Sequence, residues 1–408
     1  MFQSLSVRIF IGLLVGLLVG SLIQWGFFGA FLGHGIVVSA SAVGTMFIHA
    51  IMLTVAPLVF FSIVTAVLEL KDISTFGRLS AKTFGAYLMN TLIAIAAAAG
   101  ITWWLKPGLG LHLEVRHAID LGSAELPSLV KLLTDVVPNN VVGAFQSGNM
   151  LQIIFLAALI GLVVKMSAST YQTSVETFFK AGNEIMMNLI TFVMKFAPFG
   201  VFALMIKLAA LLDTSMFISV VQYMLLILLL LTFWIVVLYP FAVSLFTDVS
   251  AFQFRRAVQE QFLFAMSTAS SNATIPVTMR TLIEKLKVNK MVAGFGVPLG
   301  ATMNMGGVSL YITVAIMFAA NAYGMPITQE QLPVLLLNIF LLAVGSGGVP
   351  GGGLIMIGTL ISQLGLPLEA FALIAAVDRL IDMVVTSVNV VGDTAVVTIV
   401  DRSEQKNA

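Results

Sequence analysis

Long apolar runs separated by short polar ones organise this chain. Runs of membrane-spanning length cover residues 7–28, 37–68, 79–105, 149–166, 172–209, 217–246, 290–321 and 369–400. A helix needs about 20 predominantly apolar residues to cross a bilayer, so each run predicts a transmembrane helix. Two further segments have half-length apolar arms around a polar centre. In residues 251–285 the centre is Ser267-Thr268-Ala269-Ser270-Ser271-Asn272-Ala273-Thr274-Ile275-Pro276. In residues 329–364 it is Gly345-Ser346-Gly347-Gly348-Val349-Pro350-Gly351-Gly352-Gly353. Irregular backbone at membrane depth is tolerated only where protein or a water-filled cavity receives it, so both segments read as re-entrant hairpins. Either stretch alone could be a loop or a site of close helix packing. Together they flank a span with its own break, Gly300-Ala301-Thr302-Met303-Asn304-Met305-Gly306-Gly307. Paired interruptions of this kind point to a transporter binding site.

Composition narrows the class. Hydrophobic residues make up 59% of the 408 and charged residues 10%, with mean hydropathy +1.05. Soluble domains carry about 25% charged residues, so an all-α polytopic membrane protein is expected. A net charge of +1 says nothing about nucleic acid, but no basic tract appears and no nucleic-acid partner is expected; the absence of cysteine excludes disulfides, thiolate metal sites and a thiol nucleophile. The first 20 residues hold only Arg8 in a signal-like n-region and are read as a retained span. Basic residues place Lys71, Arg78 and Lys82, and also Arg280, Lys285, Lys287 and Lys290, on the cytoplasmic side. The base-free stretch 321–332 and the polar loop 106–148 fall outside, and both termini fall in the cytoplasm.

The last span carries Asp378, Arg379, Asp382 and Asp393. Each charge costs about 2.5–3.5 kcal/mol at a helix centre on insertion scales, which marks an ion or substrate path. Adjacent glycines in the preceding break favour unwinding. Freed carbonyls there suit a hard cation such as sodium, while hairpin amides and helix N-termini suit a carboxylate.

These residues resemble the glutamate transporter, or dicarboxylate/amino acid:cation symporter, family over nearly the whole chain. The resemblance runs through Ala56-Pro57-Leu58-Val59-Phe60-Phe61, Gly148-Asn149-Met150-Leu151-Gln152-Ile153-Ile154-Phe155 and Phe196-Ala197-Pro198-Phe199-Gly200-Val201-Phe202. It continues through the serine-rich hairpin, the Gly300–Gly307 break, the Gly348-Val349-Pro350-Gly351 tip, and Asp378, Asp382, Asn389, Gly392 and Asp393. It implies eight transmembrane helices plus two re-entrant hairpins in an elevator-type homotrimer. The scaffold would be mainly 1–78 and 149–216. The transport domain would be mainly 79–105 and 217–400 with both hairpins, and 401–408 a cytoplasmic tail. The implied activity is secondary active uptake of an amino acid with co-transported sodium across a bacterial inner membrane.

By the same resemblance Asp382 receives the substrate's amino group. On residue spacing alone it could instead pair with Arg379 three residues earlier. Dicarboxylate-specific members lack this aspartate, which favours an amino acid. Thr386 and Asn389 resemble the contacts to the α-amino and α-carboxylate groups, Ser271 adds hydrogen bonds to that carboxylate, and Val349 and Gly353 sit in the second hairpin's lid. Asp393, with carbonyls of Gly300, Asn304 and Asn389, matches a first sodium site; Asp393 could alternatively be a partner for a basic residue near the helix end. Carbonyls of Thr302, Ala343, Val344 and Ser346 match a second. Tyr87, Asn90 and Thr91, with Asn304, match part of a third.

Three departures separate the chain from the family pattern. The break usually reads Asn-Met-Asp-Gly-Thr, and here Gly306 removes the third-site carboxylate and Val308 the threonine. Val385 replaces the arginine that holds an acidic side chain. Two valines leave a desolvated carboxylate unsatisfied, at a cost of several kcal/mol. A neutral amino acid and fewer sodium ions are therefore expected. The alternatives are proton coupling through Asp378 or Asp382, an acidic amino acid or C4-dicarboxylate held through Arg379, and a passive channel or sensor on the same scaffold. Arg379 lies about 9 Å along the helix from Val385.

The remaining polar residues predict little chemistry. His34, His49, His112 and His117 share no ligand spacing. The Gly345-Ser346-Gly347 stretch lacks a histidine partner, and Val391-Gly392-Asp393 lacks the first glycine of an intramembrane aspartyl protease signature. No enzyme is expected.

Overall fold

A computed structural model describes residues 5–69, 73–111, 137–147, 150–211, 214–345 and 351–405. Every regular element among them is helical, and helices lie over each of the eight expected spans. Four described stretches are long and apolar enough to cross a membrane: Ala81–Leu105, Val220–Phe246, Lys290–Ala322 and Val377–Gln405. The other spans are shorter or bent.

The first helix, α1 (Leu5–Gln24), carries Gly12, Gly16 and Gly20 at four-residue intervals, one ridge of the helix surface. A Cβ on each would fall 2.5–2.6 Å from the carbonyl oxygens of Pro198, Phe202 and Ile206. Only glycine permits that backbone approach to α7 (Ala197–Leu211), the small-residue packing typical of membrane helices. The 41-residue α2 (Gly29–Glu69) contains Pro57 and packs on α7, on α5 (Met150–Met166) and on α6 (Ser169–Met194). The expected single span 172–209 is a bent pair. Tyr171–Val193 and Ala197–Lys207 meet at 51°, next to Pro198. Proline lacks an N–H and crowds the preceding turn, which explains the break.

The second group of helices surrounds α16 (Leu368–Gln405). It comprises α3 (Ile73–Leu105), α8 (Thr214–Phe233), α9 (Tyr239–Phe246), α12 (Lys290–Met303) and α13 (Gly306–Ala322), together with the hairpin helices. A π-helical turn at Trp234–Leu238 joins α8 to α9, immediately before Pro240. Burial confirms an interior position: in an apolar 18-residue window of each span, 94% of residues are buried within Lys290–Ala322 and 83% within Val377–Gln405, against 33% within Ala81–Leu105. The polar groups of α12, α13 and α16 must therefore satisfy one another.

Both interrupted segments form helical hairpins. In the first, α10 (Ala251–Thr268) opens on a Ser250–Gln253 capping box and ends at Ala269, whose φ is +48°. The side chain of Ser270 then caps α11 (Ser271–Arg280) by accepting from the Ala273 N–H. In the second, α14 (Leu332–Gly345) and α15 (Gly352–Gln363) flank the tip, where Gly351 takes φ +77°. That left-handed conformation favours glycine. The short helix α4 (Val141–Ser147) belongs to the 106–148 connection, most of which lies outside the described residues.

Candidate functional site

Helix α16 passes the broken span with its polar residues three or four apart, which brings Asp378, Asp382, Thr386, Asn389 and Asp393 towards one face. The facing break is real. Asn304 (φ −88°, ψ +80°) ends α12, and Met305 (φ −104°, ψ +41°) precedes α13. Asn389 Oδ1 accepts from the Gly307 N–H at 2.8 Å, satisfying a donor in the buried first turn of α13. Gly307 fits because a Cβ there would be 2.4 Å from the Val385 carbonyl oxygen. The backbone of α13 at Gly307 thus meets α16 at Val385 and Asn389, and Val308, Val385 and Asn389 are each 5% exposed or less.

Below that junction is an oxygen-rich cluster. Asn304 Nδ2 donates to Asp393 Oδ1 at 2.8 Å and to the Asn389 carbonyl at 3.4 Å. Gly300 borders the same atoms, since a Cβ on it would lie 2.5 Å from Asp393 Oδ1 and 2.6 Å from the Tyr87 hydroxyl. All four residues of the expected first cation set are therefore adjacent. Among the described residues no three His, Cys, Asp or Glu side chains gather. A cation here would draw on one carboxylate, amide oxygens and carbonyls, a donor set suited to a hard monovalent ion.

Of the expected third set, Asn90 meets Asn304, and Tyr239 joins them. Asn90 Nδ2 donates to Asn304 Oδ1 at 2.7 Å and to the Tyr239 hydroxyl at 3.3 Å. Tyr87 donates to the Gly296 carbonyl at 2.9 Å, and the Thr91 hydroxyl is buried without a partner among the described residues. A Cβ on Gly306 would lie 2.8 Å from Asn90 Nδ2 and 3.1 Å from the Tyr239 hydroxyl. A neutral phenol thus borders the space a carboxylate at 306 would enter. Tyr239 did not emerge from the sequence reading, although its Tyr-Pro pair inside an apolar run was a usable signal.

Of the second set, the Thr302 hydroxyl turns back to the Leu299 carbonyl at 2.9 Å, and Ala343 is buried on α14. Helix α14, which also bears Val344, packs against α12; Ser346 and Val349 lie outside the described residues. The hydroxyl of Ser271, at the start of α11, is buried and unpartnered among the described residues. Gly353 packs against Tyr311, with Val308 beyond it.

The upper part of the site holds the buried charges. Arg379 Nη1 contacts Asp382 Oδ2 at 3.4 Å, with the two side chains 9% and 4% exposed. The same oxygen accepts from the Gly351 N–H at 3.0 Å. The pairing of Asp382 with Arg379 is thus present, and Asp382 is not a lone carboxylate. Asp378 Oδ1 accepts instead from the Tyr311 hydroxyl at 2.8 Å. Tyr311 and Gly351 also escaped the sequence reading. A buried tyrosine hydroxyl facing an acidic span was the available clue to the first. Hairpin 1 docks on the far side of α16 through Gln261, whose Nε2 donates to Thr394 Oγ1 at 2.8 Å and to the Val390 carbonyl at 3.2 Å.

Comparison with known proteins agrees with this arrangement. The profile of the sodium:dicarboxylate symporter family matches residues 5–403. A proton/glutamate-aspartate symporter of Escherichia coli (strain K12) is 29% identical over 378 residues, covering 90% of this chain and 85% of its own. A proton/sodium-glutamate symport protein of Bacillus caldotenax is 29% identical over 98% of this chain and 94% of its own length. A C4-dicarboxylate transport protein of Pseudomonas paraeruginosa is 29% identical over 92% and 87%. With a match across almost its full length and a helical, membrane-embedded site rather than catalytic machinery, the chain belongs to the sodium:dicarboxylate symporter family and is a cation-coupled symporter, not an enzyme.

Proposed function

We propose that the protein couples sodium entry to uptake of a neutral amino acid across a bacterial inner membrane. The observation that carries the substrate reading is the burial of Val308 and Val385 where α13 meets α16 at Gly307. Val308 lies within reach of Gly353 and Val385 turns its carbonyl oxygen to Gly307, and an acidic side chain placed here would need a cationic or polar partner. The cation nearest along α16, Arg379, is already engaged by Asp382. A carboxylate placed against the valines would be desolvated without compensation. An apolar or small neutral side chain is not penalised there.

In this reading Asp382 receives the ammonium, Thr386 and Asn389 contact the α-amino and α-carboxylate groups, and the unpartnered Ser271 hydroxyl adds a donor for the carboxylate. Val349 and Gly353 line the second hairpin's side. Sodium is held by Asp393 with carbonyls of Gly300, Asn304 and Asn389. A second ion is held by carbonyls of Thr302, Ala343, Val344 and Ser346. Tyr87, Asn90 and Thr91 form a weakened third site beside Gly306. The scaffold (1–78, 149–216) and transport domain (79–105, 217–400) operate as an elevator in a homotrimer, with both termini cytoplasmic. The packing supports that division, since α1, α2, α5, α6 and α7 contact mainly one another while α16 gathers the remaining helices.

The names of the relatives favour a second reading. They include glutamate, aspartate and C4-dicarboxylate transporters, some of them named for protons. An acidic substrate could recruit Arg379 away from Asp382, and a proton could replace sodium. Thermal stabilisation of the purified protein by amino acids and dicarboxylates, with and without sodium, separates these. A ligand confined to the folded state raises apparent stability with its occupancy. Stabilisation by a neutral amino acid only with sodium is expected. Stabilisation by aspartate or succinate, or by a neutral amino acid without sodium, refutes the substrate or the ion assignment respectively.

A further inference from the structure

We propose that Arg379 is the internal counter-cation of the empty carrier: it takes the place on Asp382 that a substrate ammonium fills, and it leaves when substrate binds. The inference rests on the reading that Asp382 receives the amine. Helix α16 buries two carboxylates one turn apart, Asp378 and Asp382, each no more than 4% exposed. Their partners differ in kind. Asp378 accepts from the neutral Tyr311 hydroxyl, whereas Asp382 Oδ2 accepts from the neutral Gly351 N–H and is, among the described residues, the carboxylate in direct ion-pair contact with Arg379, whose charge Asp378 also feels. A buried carboxylate stripped of its only charged partner is strongly destabilised. Without substrate, Arg379 is therefore what keeps Asp382 compensated.

The contact is built to be exchanged. Strong arginine–carboxylate pairs are bidentate, with two short parallel bonds. Here a single nitrogen approaches at 3.4 Å, and the buried Nε has no hydrogen-bond partner among the described residues. Arg379 and Asp382 are three residues apart on one helix, so side-chain torsions alone hold the pair together. An arriving ammonium brings the same charge with a more compact head, and the exchange leaves the net charge at Asp382 unchanged.

Alternating access gives this a kinetic consequence. Net uptake requires the site to return empty, whereas exchange of internal for external substrate never does. An internal cation that stands in for the ammonium is needed only for the empty return. Arg379 is thus a positioning residue that acts through Asp382, and its removal should divide the two transport modes.

The test uses the full-length protein in liposomes with labelled L-alanine. Net uptake is measured under a sodium gradient into vesicles free of substrate, and exchange is measured against internal unlabelled L-alanine. Arg379→Gln is expected to lower the ratio of net uptake to exchange by about tenfold or more, with exchange itself within about twofold of the unaltered protein. Arg379→Lys keeps the charge and is expected to retain the ratio. That variant decides the matter if the glutamine variant does not fold. Equal loss of net uptake and exchange in Arg379→Gln, no change in either, or a lysine variant as impaired in ratio as the glutamine one, overturns the proposal. If the unaltered protein moves L-aspartate and not L-alanine, the neutral-substrate reading falls, and the same ratio measured with aspartate judges Arg379. If it moves only succinate, which has no amine, the role of Asp382 and this inference fall together.

Discussion

Gly306→Asp restores the carboxylate that the family pattern has and this chain lacks, and the surroundings of Gly306 define what should follow. A Cβ there would lie 2.8 Å from Asn90 Nδ2 and 3.1 Å from the Tyr239 hydroxyl. The new side chain must displace the Asn90 amide, which now donates to Asn304 and Tyr239. It also enters a region where Asn304, Thr91 and Gly306 are fully or almost fully buried. Without a cation, an unpaired carboxylate there costs about 3–5 kcal/mol. Its position in the first turn of α13 offsets only about 0.3–1 kcal/mol. With sodium at 100 times its dissociation constant, binding restores about 2.7 kcal/mol. The variant should therefore be markedly less thermostable than the parent in choline chloride and recover most of the difference in sodium chloride. Its uptake should also depend more steeply on sodium concentration. Gly306→Asn is the control, because it imposes the same crowding without the charge. If the asparagine variant regains as much stability in sodium as the aspartate variant, the effect is steric, and the argument that Gly306 deletes a cation ligand is wrong.

Other substitutions test the remaining assignments. Asp382→Asn should abolish amino acid binding while leaving the protein folded; an unchanged affinity in a thermal-shift titration refutes its role as amine acceptor. Asp393→Asn should weaken sodium activation by at least about tenfold, since a charged ligand gives way to a neutral one. A sodium dependence identical to the parent's removes Asp393 from the ion site. Val385→Arg with Val308→Thr should shift preference towards aspartate, and continued absence of aspartate uptake in folded protein shows the valine pocket is not what excludes it. Gly16→Val should cost about 1–3 kcal/mol through overpacking. Its Cβ alone would meet the Phe202 carbonyl at 2.5 Å and Met205 at 2.6 Å; an unchanged melting temperature contradicts tight α1–α7 packing.

The sequence made the architecture legible wherever one physical requirement dominated locally. Membrane burial requires long apolar runs, so the positions of the helices followed from hydropathy. The re-entrant hairpins followed from arms too short to cross, and the break at Asn304–Met305 from glycines beside an amide. What escaped was chemistry set by three-dimensional proximity between elements far apart in the chain. Tyr239 reaches Asn90 across 149 positions, Tyr311 reaches Asp378 across 67, and Gly351 reaches Asp382 across 31. No periodicity within one helix contains those distances. The bend at Pro198 and the π turn before Pro240 lay between, since proline announces a disturbance without saying whether the helix will bend or widen.

Arg379 shows why the charged span resisted a local reading most of all. Its spacing from Asp382 allowed an intrahelical pair, and its distance from Val385 left a substrate contact open. The structure provides the pair at 3.4 Å, with the Gly351 amide on the same oxygen. In water such a pair would be worth little and easily ignored. Inside a site whose carboxylates are almost wholly removed from solvent, the same contact would, under the proposal, set the charge of the empty carrier. A substrate that brings an ammonium can replace Arg379 there without changing that charge, whereas a dicarboxylate without an amine cannot. On the proposed reading, discrimination between amino acids and plain dicarboxylates would be a matter of charge exchange at Asp382, and discrimination among amino acids a matter of the two valines one turn further along α16 and on the facing α13.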